Sequence, residues 1–349
     1  MIVSFVCPSS PAPTGGVTAI YEFANGLSRR GHEVHIAHGA FWGRPGVASL
    51  DELAWFRFEP GVEHHFGKGE IPLPDADVIF GTTAPGHLGL PVLLVQGFEM
   101  FPKEMEREIF RSACLKVCVA SWLVQVAAEY GVPPDQLVHV PYGIDHDTFR
   151  VTNALDARPV EVGMLYNSHL AKGWITGRQA LELVHERRPE MRAVVFGTEV
   201  PDEVLPSWIT FVFDPAPQVL VDDVYNQCRV FVQPSLWEGF GFTAVEAMAC
   251  GCALVSTDNG GSADYALPGE TALLSAPGEI ESLAANIETL LRDDSERIRL
   301  ATAGRAHVQQ FRWDRGAELL EGHLEQYLAD PSAFQRPPLD DGAAKSVRS

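Results

Sequence analysis

The chain has 349 residues, 46% of them hydrophobic and 21% charged, with a formal net charge of −20. That length and balance fit two ordinary globular domains with sizeable cores. The acidic excess excludes a nucleic-acid binder, which needs a basic face for phosphates, and gives no pull toward anionic membranes.

In chain order, "IVSFVC" (2–7) is a short apolar run of the kind that forms a strand buried on both faces. The loop "PSSPAPTGG" follows, then "VTAIYEFANGLSRRG" with apolar residues at helical spacing and a glycine stop. "HEVHIAHG", "DADVIFGTT", "PVLLVQG", "LKVCVAS" and "QLVHVPYG" read as further strands, with the helix "SWLVQVAAEYG" between the last two. The polar, turn-prone "RVTNALDARP" breaks the pattern and sets a domain boundary at 150/151. Alternation then restarts. "VEVGMLYN", "MRAVVFGT", "ITFVFD", "CRVFVQPS" and "CALVSTD" are strands, and "GWITGRQALELVHERRP", "GFTAVEAMACG", "IESLAANIETLLRD" and "SERIRLATAGRAHVQQF" are helices. "WDRGAELLEGHLEQYLAD" is a terminal amphipathic helix, and the tail 331–349 is expected to be disordered. Strands alternating with helices imply an α/β chain with two parallel, doubly wound sheets, which bind ligands beyond the carboxyl ends of their strands.

No apolar run reaches the about 18 residues of a membrane span, and the N-terminus lacks the basic start of a secretory signal. Cys114, Cys118, Cys250 and Cys252 sit in apolar runs and read as reduced core residues, so a cytoplasmic location is expected. No metal-ligating set is read from the sequence, and no cofactor is expected. His87 and the pair His64–His65 read as loop residues.

The chemistry concentrates in "PSLWEGFGFTAVEAMACGCALVS" (234–256), a crossing from an apolar strand to a helix. Gly239 and Gly241 let backbone amides approach a ligand, and a helix starting near Thr243 offers unsatisfied N–H groups that suit phosphate. Glu238 and Glu246, with seven residues between them, suit sugar hydroxyls, since an ionised carboxylate accepts from two adjacent O–H groups. Together these describe a site for a nucleotide sugar. A plainer reading stays open: Thr243 and Glu246 fit a capping box, and Glu238 a solvated loop residue.

This stretch resembles the signature of retaining glycosyltransferases of the GT-B fold, specifically glycosyltransferase family 4 in its rhamnosyltransferase-like branch. Glu238–Glu246 matches the family's E-x7-E motif. "PAPTGGVTAIYEFANGLSRRGHEVHIAHG", "VPYGIDHDTFR" and "WDRGAELLEGHLEQYL" resemble its N-terminal glycine loop, the segment closing its N-terminal domain and its terminal helix. The resemblance implies two facing Rossmann-like domains with an interdomain cleft: an acceptor-side domain over 1–150 and a nucleotide-sugar-binding domain over 151–312. The helix over 313–330 would pack back on the first domain.

By resemblance, Glu246 holds the ribose, and Glu238 faces the transferred sugar. The amides around Phe240, Gly241, Phe242 and Thr243 meet sugar and phosphate oxygens, and Gly15 and Gly16 reach the donor phosphate. Lys172 matches the lysine that neutralises the leaving diphosphate. The family's arginine beside it is missing, because Met164 follows Gly163, and His169, Arg178 or an N-domain residue are the candidates to compensate. Lys172 also reads as a plain surface lysine. Gln96 and Glu99 match positions that touch sugar or acceptor, although Glu99 also suits a helix cap. Asp264 lies in a loop resembling the one under the nucleotide. Phe240, Phe242 and Trp237 would exclude water from the site or pack as core and rim.

The implied activity is retaining, metal-independent transfer of a hexose or deoxyhexose from a nucleoside-diphosphate sugar to a hydroxyl of a saccharide, lipid-linked saccharide or small acceptor, as in polysaccharide biosynthesis. The alternatives are a nucleotide-sugar binder without turnover, and a GT-B epimerase or phosphorylase. Base, sugar, acceptor, linkage and oligomeric state are not readable.

Overall fold

The computed structural model describes residues 1–39, 46–67, 71–81, 88–98 and 102–335. The chain divides into two units, one built from Met1–Gly143 with Trp313–Ser349 and the other from Ile144–Arg312.

Unit 1 runs β1 (Ile2–Pro8), α1 (Gly15–Arg29), β2 (Glu33–Gly39), β3 (Val62–Phe66), β4 (Val78–Phe80), β5 (Leu90–Val95), α2 (Lys103–Arg111), β6 (Leu115–Cys118), α3 (Ser121–Glu129) and β7 (Leu137–His139). The strands form one parallel sheet in the order β3-β2-β1-β4-β5-β6-β7. Of the apolar runs read as strands, "QLVHVPYG" forms the edge strand β7 and the others lie inside the sheet, where Val3, Val34, Val78, Val92 and Leu115 are buried. β3 was not anticipated. It places His64 and His65 in an edge strand rather than a loop, because "VEHHF" alternates and each face finds a partner on β2. His64 faces His38 across Nε2–Nδ1 at 2.9 Å, and a hydrogen-bonded chain continues from His38 through Ser9 to Tyr21. Burial pushes His38 down to about 3 and His64 down to about 4, so both rings are neutral at physiological pH.

The helix α9 (Trp313–Ala329) belongs to unit 1, although the whole of unit 2 precedes it in the chain. It crosses α1 where a Cβ on Gly26 would come within 2.5 Å of the Ala317 Cβ, so only glycine permits that approach. Trp313 meets Phe23 edge-on with ring centroids 5.7 Å apart, and Glu321 accepts from Arg30 Nε (2.6 Å) and pairs with His32 Nε2 (2.7 Å). Buried Leu320, Leu324 and Tyr327 each contribute about 1.5–3 kcal/mol of apolar burial. Beyond α9, Pro331–Gln335 forms a short 3₁₀ turn with Phe334 against Tyr327, so the tail expected to be disordered from 331 is ordered over these five residues; 336–349 lie outside the described residues.

Unit 2 runs β8 (Val160–Leu165), α4 (Trp174–Arg187), β9 (Ala193–Gly197), β10 (Ile209–Phe213), α5 (Pro217–Val219) leading into a π-helical turn (Leu220–Tyr225), β11 (Cys228–Gln233), α6 (Phe242–Ala249), β12 (Ala253–Thr257), β13 (Ala272–Ser275), α7 (Ile280–Arg292) and α8 (Asp294–Val308). Its parallel sheet has the order β10-β9-β8-β11-β12-β13. The boundary expected at 150/151 lies instead at 143/144. "RVTNALDARP" is polar, yet it is pinned to unit 2: Asn226 Oδ1 accepts from Thr152 N at 2.7 Å, and buried Arg158 donates to the carbonyls of Tyr225 (3.1 Å), Cys228 (2.8 Å) and Cys250. All six cysteines are buried and free, and burial pushes the Cys118 thiol up to about 12, far from thiolate formation at neutral pH.

Both sheets reverse their winding once, at β1/β4 in unit 1 and at β8/β11 in unit 2. Such a reversal leaves a crevice at the carboxyl ends of the two flanking strands, because the connections depart in opposite directions there. No helix among the described residues is long and apolar enough to cross a membrane.

Candidate active site

In unit 2 the loops after β8 and β11 flank this reversal. They are bonded to each other, Leu236 N donating to Ala171 O at 2.7 Å. The first loop delivers Lys172, the second Glu238. Gly173 makes the approach possible: it has φ +66°, and a Cβ there would collide with the Pro234 carbonyl.

Glu238 is 5% exposed, so its carboxylate needs donors to offset lost hydration. Ser235 Oγ donates to Oε1 at 2.7 Å and Gln233 Nε2 to the same oxygen at 2.8 Å. Lys172 Nζ spans both oxygens, at 3.0 Å to Oε1 and 2.8 Å to Oε2. Gln233, buried at the end of β11, also accepts from Thr243 Oγ1 at 2.9 Å, which ties the array to the first turn of α6. Glu238 N donates to Asn259 O at 2.9 Å and fixes the backbone from below.

The helix α6 begins at Phe242, with Gly241 as its N-cap residue at φ +100° and no side-chain cap. A side chain at 241 would run into the Tyr265 hydroxyl. The capping-box alternative is not what forms: Thr243 turns to Gln233, and Glu246 Oε2 accepts from Tyr225 OH at 2.9 Å. Burial pushes the Glu246 carboxyl up to about 7, against the smaller opposing effect of the Tyr225 hydrogen bond. The solvated-loop alternative for Glu238 also fails, since the residue is buried and paired.

Phe240 is core: its ring packs on Phe311 (5.4 Å) and Tyr265 (6.0 Å). Trp237 is half-buried, edge-on to His169 at 6.1 Å. Met164 is fully buried, and a methyl on Gly177 would come within 2.5 Å of its Sδ, so this position supplies packing where the resemblance implies a cation. Arg178 is paired with Glu203 at 2.7 Å and Glu182 at 3.7 Å, and His169 Nδ1 accepts from Ala171 N; neither is aimed at Glu238 by these bonds. Asp264 sits in the 3₁₀ turn Gly261–Asp264, its carbonyl accepting from His307 Nε2 at 3.0 Å.

In unit 1, Gly15 and Gly16 form the first turn of α1 rather than a loop. Gln96, just after β5, donates from Nε2 to Gly16 O at 2.9 Å. Glu99 and His87 lie outside the described residues.

Sequence reasoning missed Gln233, Ser235 and Tyr225. The signal for Gln233 is a polar residue closing the apolar run "RVFVQ" at a winding reversal; the other two carry no local mark.

Residues 178–307 match the family model "Glycosyl transferases group 1". The matched segment spans most of unit 2, from α4 through α8, and includes Glu238 and Glu246. D-inositol 3-phosphate glycosyltransferase of Rhodococcus opacus (strain B4) is 28% identical over 227 residues, covering 58% of this chain and 50% of that protein. The chain thus spans about half the length of that relative. Sucrose-phosphate synthase from Thermosynechococcus elongatus superposes with a TM-score of 0.73 at 18% identity, over 95% of this chain and 100% of that one. Anabaena Alr3699/HepE in complex with UDP and glucose gives 0.72 at 17% identity, over 93% and 99%. The fold is accordingly the two-unit α/β fold of GT-B glycosyltransferases.

Proposed function

We propose that the chain is a retaining glycosyltransferase that moves a hexosyl or deoxyhexosyl unit from a nucleoside-diphosphate sugar to a hydroxyl of a saccharide, lipid-linked saccharide or small acceptor. The observation that carries this reading is the buried Glu238 carboxylate held by Lys172 at the winding reversal of unit 2, beside the uncapped start of α6. The segment that matches the glycosyl transferases group 1 model contains Glu238 and the start of α6, and Lys172 lies just before it.

In this reading the diphosphate lies against the amides at the start of α6 and draws the Lys172 ammonium from Glu238. The bond from the anomeric carbon to the phosphate oxygen breaks while that carbon bonds to the acceptor oxygen on the same face. The acceptor proton passes to the departing phosphate oxygen. Glu238 stabilises the positive charge that develops on the sugar ring, and Glu246 accepts from the ribose hydroxyls. Gly15 and Gly16 serve the donor phosphate from unit 1, and Gln96 and Glu99 touch the donor sugar or the acceptor. No divalent ion takes part in the transfer step. A rhamnose-type deoxyhexose is included among the donors because Gln96 and Glu99 match the Gln-x-x-Glu of the rhamnosyltransferase-like branch that the chain resembles.

The test is a panel of UDP-, GDP- and dTDP-sugars with and without chelator, UDP-glucose first because HepE was solved with UDP and glucose. Release of nucleoside diphosphate, undiminished by chelator and with the anomeric configuration kept in the product, is the expected result. A second reading, a nucleotide-sugar binder without turnover, draws on the buried Met164. Saturable binding of a donor with no release under any acceptor would establish that reading instead.

A further inference from the structure

On the face of the unit 1 sheet opposite the His38–His64 pair, three potential ligands converge. His35 on β2 lies in register with Glu63 on β3, and His65 is two residues further along the same face of β3. Its register partner is Ala37, whose small side chain leaves the His65 ring room beside His35, and the two ring centroids are 5.2 Å apart. His35 Nδ1 is 3.1 Å from His65 Nε2 and 3.5 Å from Glu63 Oε2, and the three ligand atoms all lie within 4.8 Å of one another.

These spacings fit one ion. Zinc bonds of about 2.0–2.1 Å in a tetrahedron set the ligand atoms about 3.3 Å apart. The pairs at His35 bracket that value, and exposed Glu63 is free to rotate toward the third edge. A second observation bears on the tautomer. Glu33, on the other side of the His35 ring, has Oε1 3.0 Å from Nε2. A carboxylate there accepts a hydrogen bond from Nε2–H, which fixes the proton on Nε2 and leaves the Nδ1 lone pair facing His65 and Glu63, the arrangement by which a carboxylate orients a metal-binding histidine. His35 itself is 3% exposed, which fixes its ring by packing.

We propose that His35, Glu63 and His65 bind a divalent transition-metal ion of the zinc class, oriented by Glu33, with a fourth position left to water on the exposed side. Two imidazoles and one carboxylate suit zinc and its neighbours and do not suit magnesium or calcium. The ion would staple the edge strand β3 to β2, where no further strand among the described residues pairs with it. This proposal goes beyond the transfer reading and does not depend on it.

The test uses the untagged full chain, stripped with chelator, desalted and titrated with zinc chloride by calorimetry, with melting temperature as a second readout. About one equivalent is expected to bind, at a Kd of about 1 μM or tighter, and to raise the melting temperature. His65→Gln is expected to weaken binding at least about 100-fold, and the exposed substitutions Glu63→Gln and Glu33→Gln about 10–100-fold, with zinc-free melting temperatures near wild type for the two glutamate variants. Cobalt is expected to give the intense visible absorption of four-coordinate geometry in wild type and to lose it in His65→Gln. Absence of saturable zinc binding, or binding that survives both His65→Gln and Glu63→Gln, overturns the proposal and leaves the trio as a hydrogen-bonded cluster.

Discussion

Lys172 Nζ sits 2.8 and 3.0 Å from the two carboxylate oxygens of Glu238, a group that also holds Ser235 and Gln233. The lysine proposed to meet the diphosphate is therefore engaged by the glutamate proposed to face the sugar. Donor binding must exchange one anion for another at Nζ, and that exchange leaves Glu238 more strongly negative when positive charge develops nearby. Lys172→Ala is expected to lower turnover about 10²–10³-fold. Lys172 keeps 34% of its side chain exposed, so water screens the pair and the stability loss should stay at about 1–2 kcal/mol. Kinetics together with denaturant unfolding separate the two effects.

At Glu238, charge and hydrogen bonding can be pulled apart. Glu238→Gln keeps an acceptor for Ser235 and should unfold near wild type while turnover collapses. Glu238→Ala strands the Ser235 and Gln233 donors and should cost about 1–3 kcal/mol as well. Equal turnover in wild type and Glu238→Gln would remove this residue from the chemistry.

The Glu246 carboxyl, raised from 4.5 to about 7 by burial, keeps its proton in the folded chain across a window in which the unfolded chain has lost it. Stability therefore falls as pH rises from about 4.5 to 7, and Glu246→Gln should remove that slope. A ribose diol needs the ionised carboxylate, so nucleotide affinity should rise through pH 7, by at most about tenfold per unit below it. Calorimetric titration of a nucleoside diphosphate across this range checks both halves, and an unchanged pH profile in Glu246→Gln would count against the ribose contact.

Gly241 combines a left-handed backbone with a neighbour that leaves no room for a side chain. Gly241→Ala is expected to cost more than the about 1–2 kcal/mol of the backbone conformation alone. Adding Tyr265→Phe should recover the steric part but not the rest. A thermal melt of the three variants gives the order.

At the seam between α1 and α9, Gly26→Val is expected to force the helices apart and lower the melting temperature, because the Ala317 Cβ occupies the space a side chain needs. If the melting temperature is unchanged, α9 does not press on α1 in solution as closely as described.

The elements with short apolar runs or apolar residues at helical spacing were readable from the chain: β1, β2, β8, β11 and the helices α1, α4, α6 and α9 follow the patterns that announce them. Two strands were not. β3 carries two histidines and a glutamate, and its strand character comes from pairing with β2 (residue 62 on 34, residue 66 on 38). β13 is a four-residue edge strand, Ala272–Ser275, whose place comes from pairing with β12. The boundary moved because Asn226 and Arg158 tie a locally turn-like segment to unit 2, and partners more than 60 residues apart leave no trace in local pattern. At the candidate site, spacing and resemblance singled out Glu238, Glu246 and Lys172. The Lys172–Glu238 bond, the Gln233 bridge to Thr243 and the Tyr225 partner of Glu246 arise only when separate loops meet.

The return of α9 to unit 1 has a consequence for how the molecule is made. One sheet's covering helix emerges from the ribosome only after an entire second unit has been synthesised, so the nascent first unit must wait with the Gly26 flank of α1 unsealed. Loop closure across 169 residues of unit 2 (Ile144–Arg312) is entropically cheap only once that insertion has compacted and brought its own ends near each other. Assembly is thereby ordered: the inserted unit closes first, and the discontinuous one finishes last.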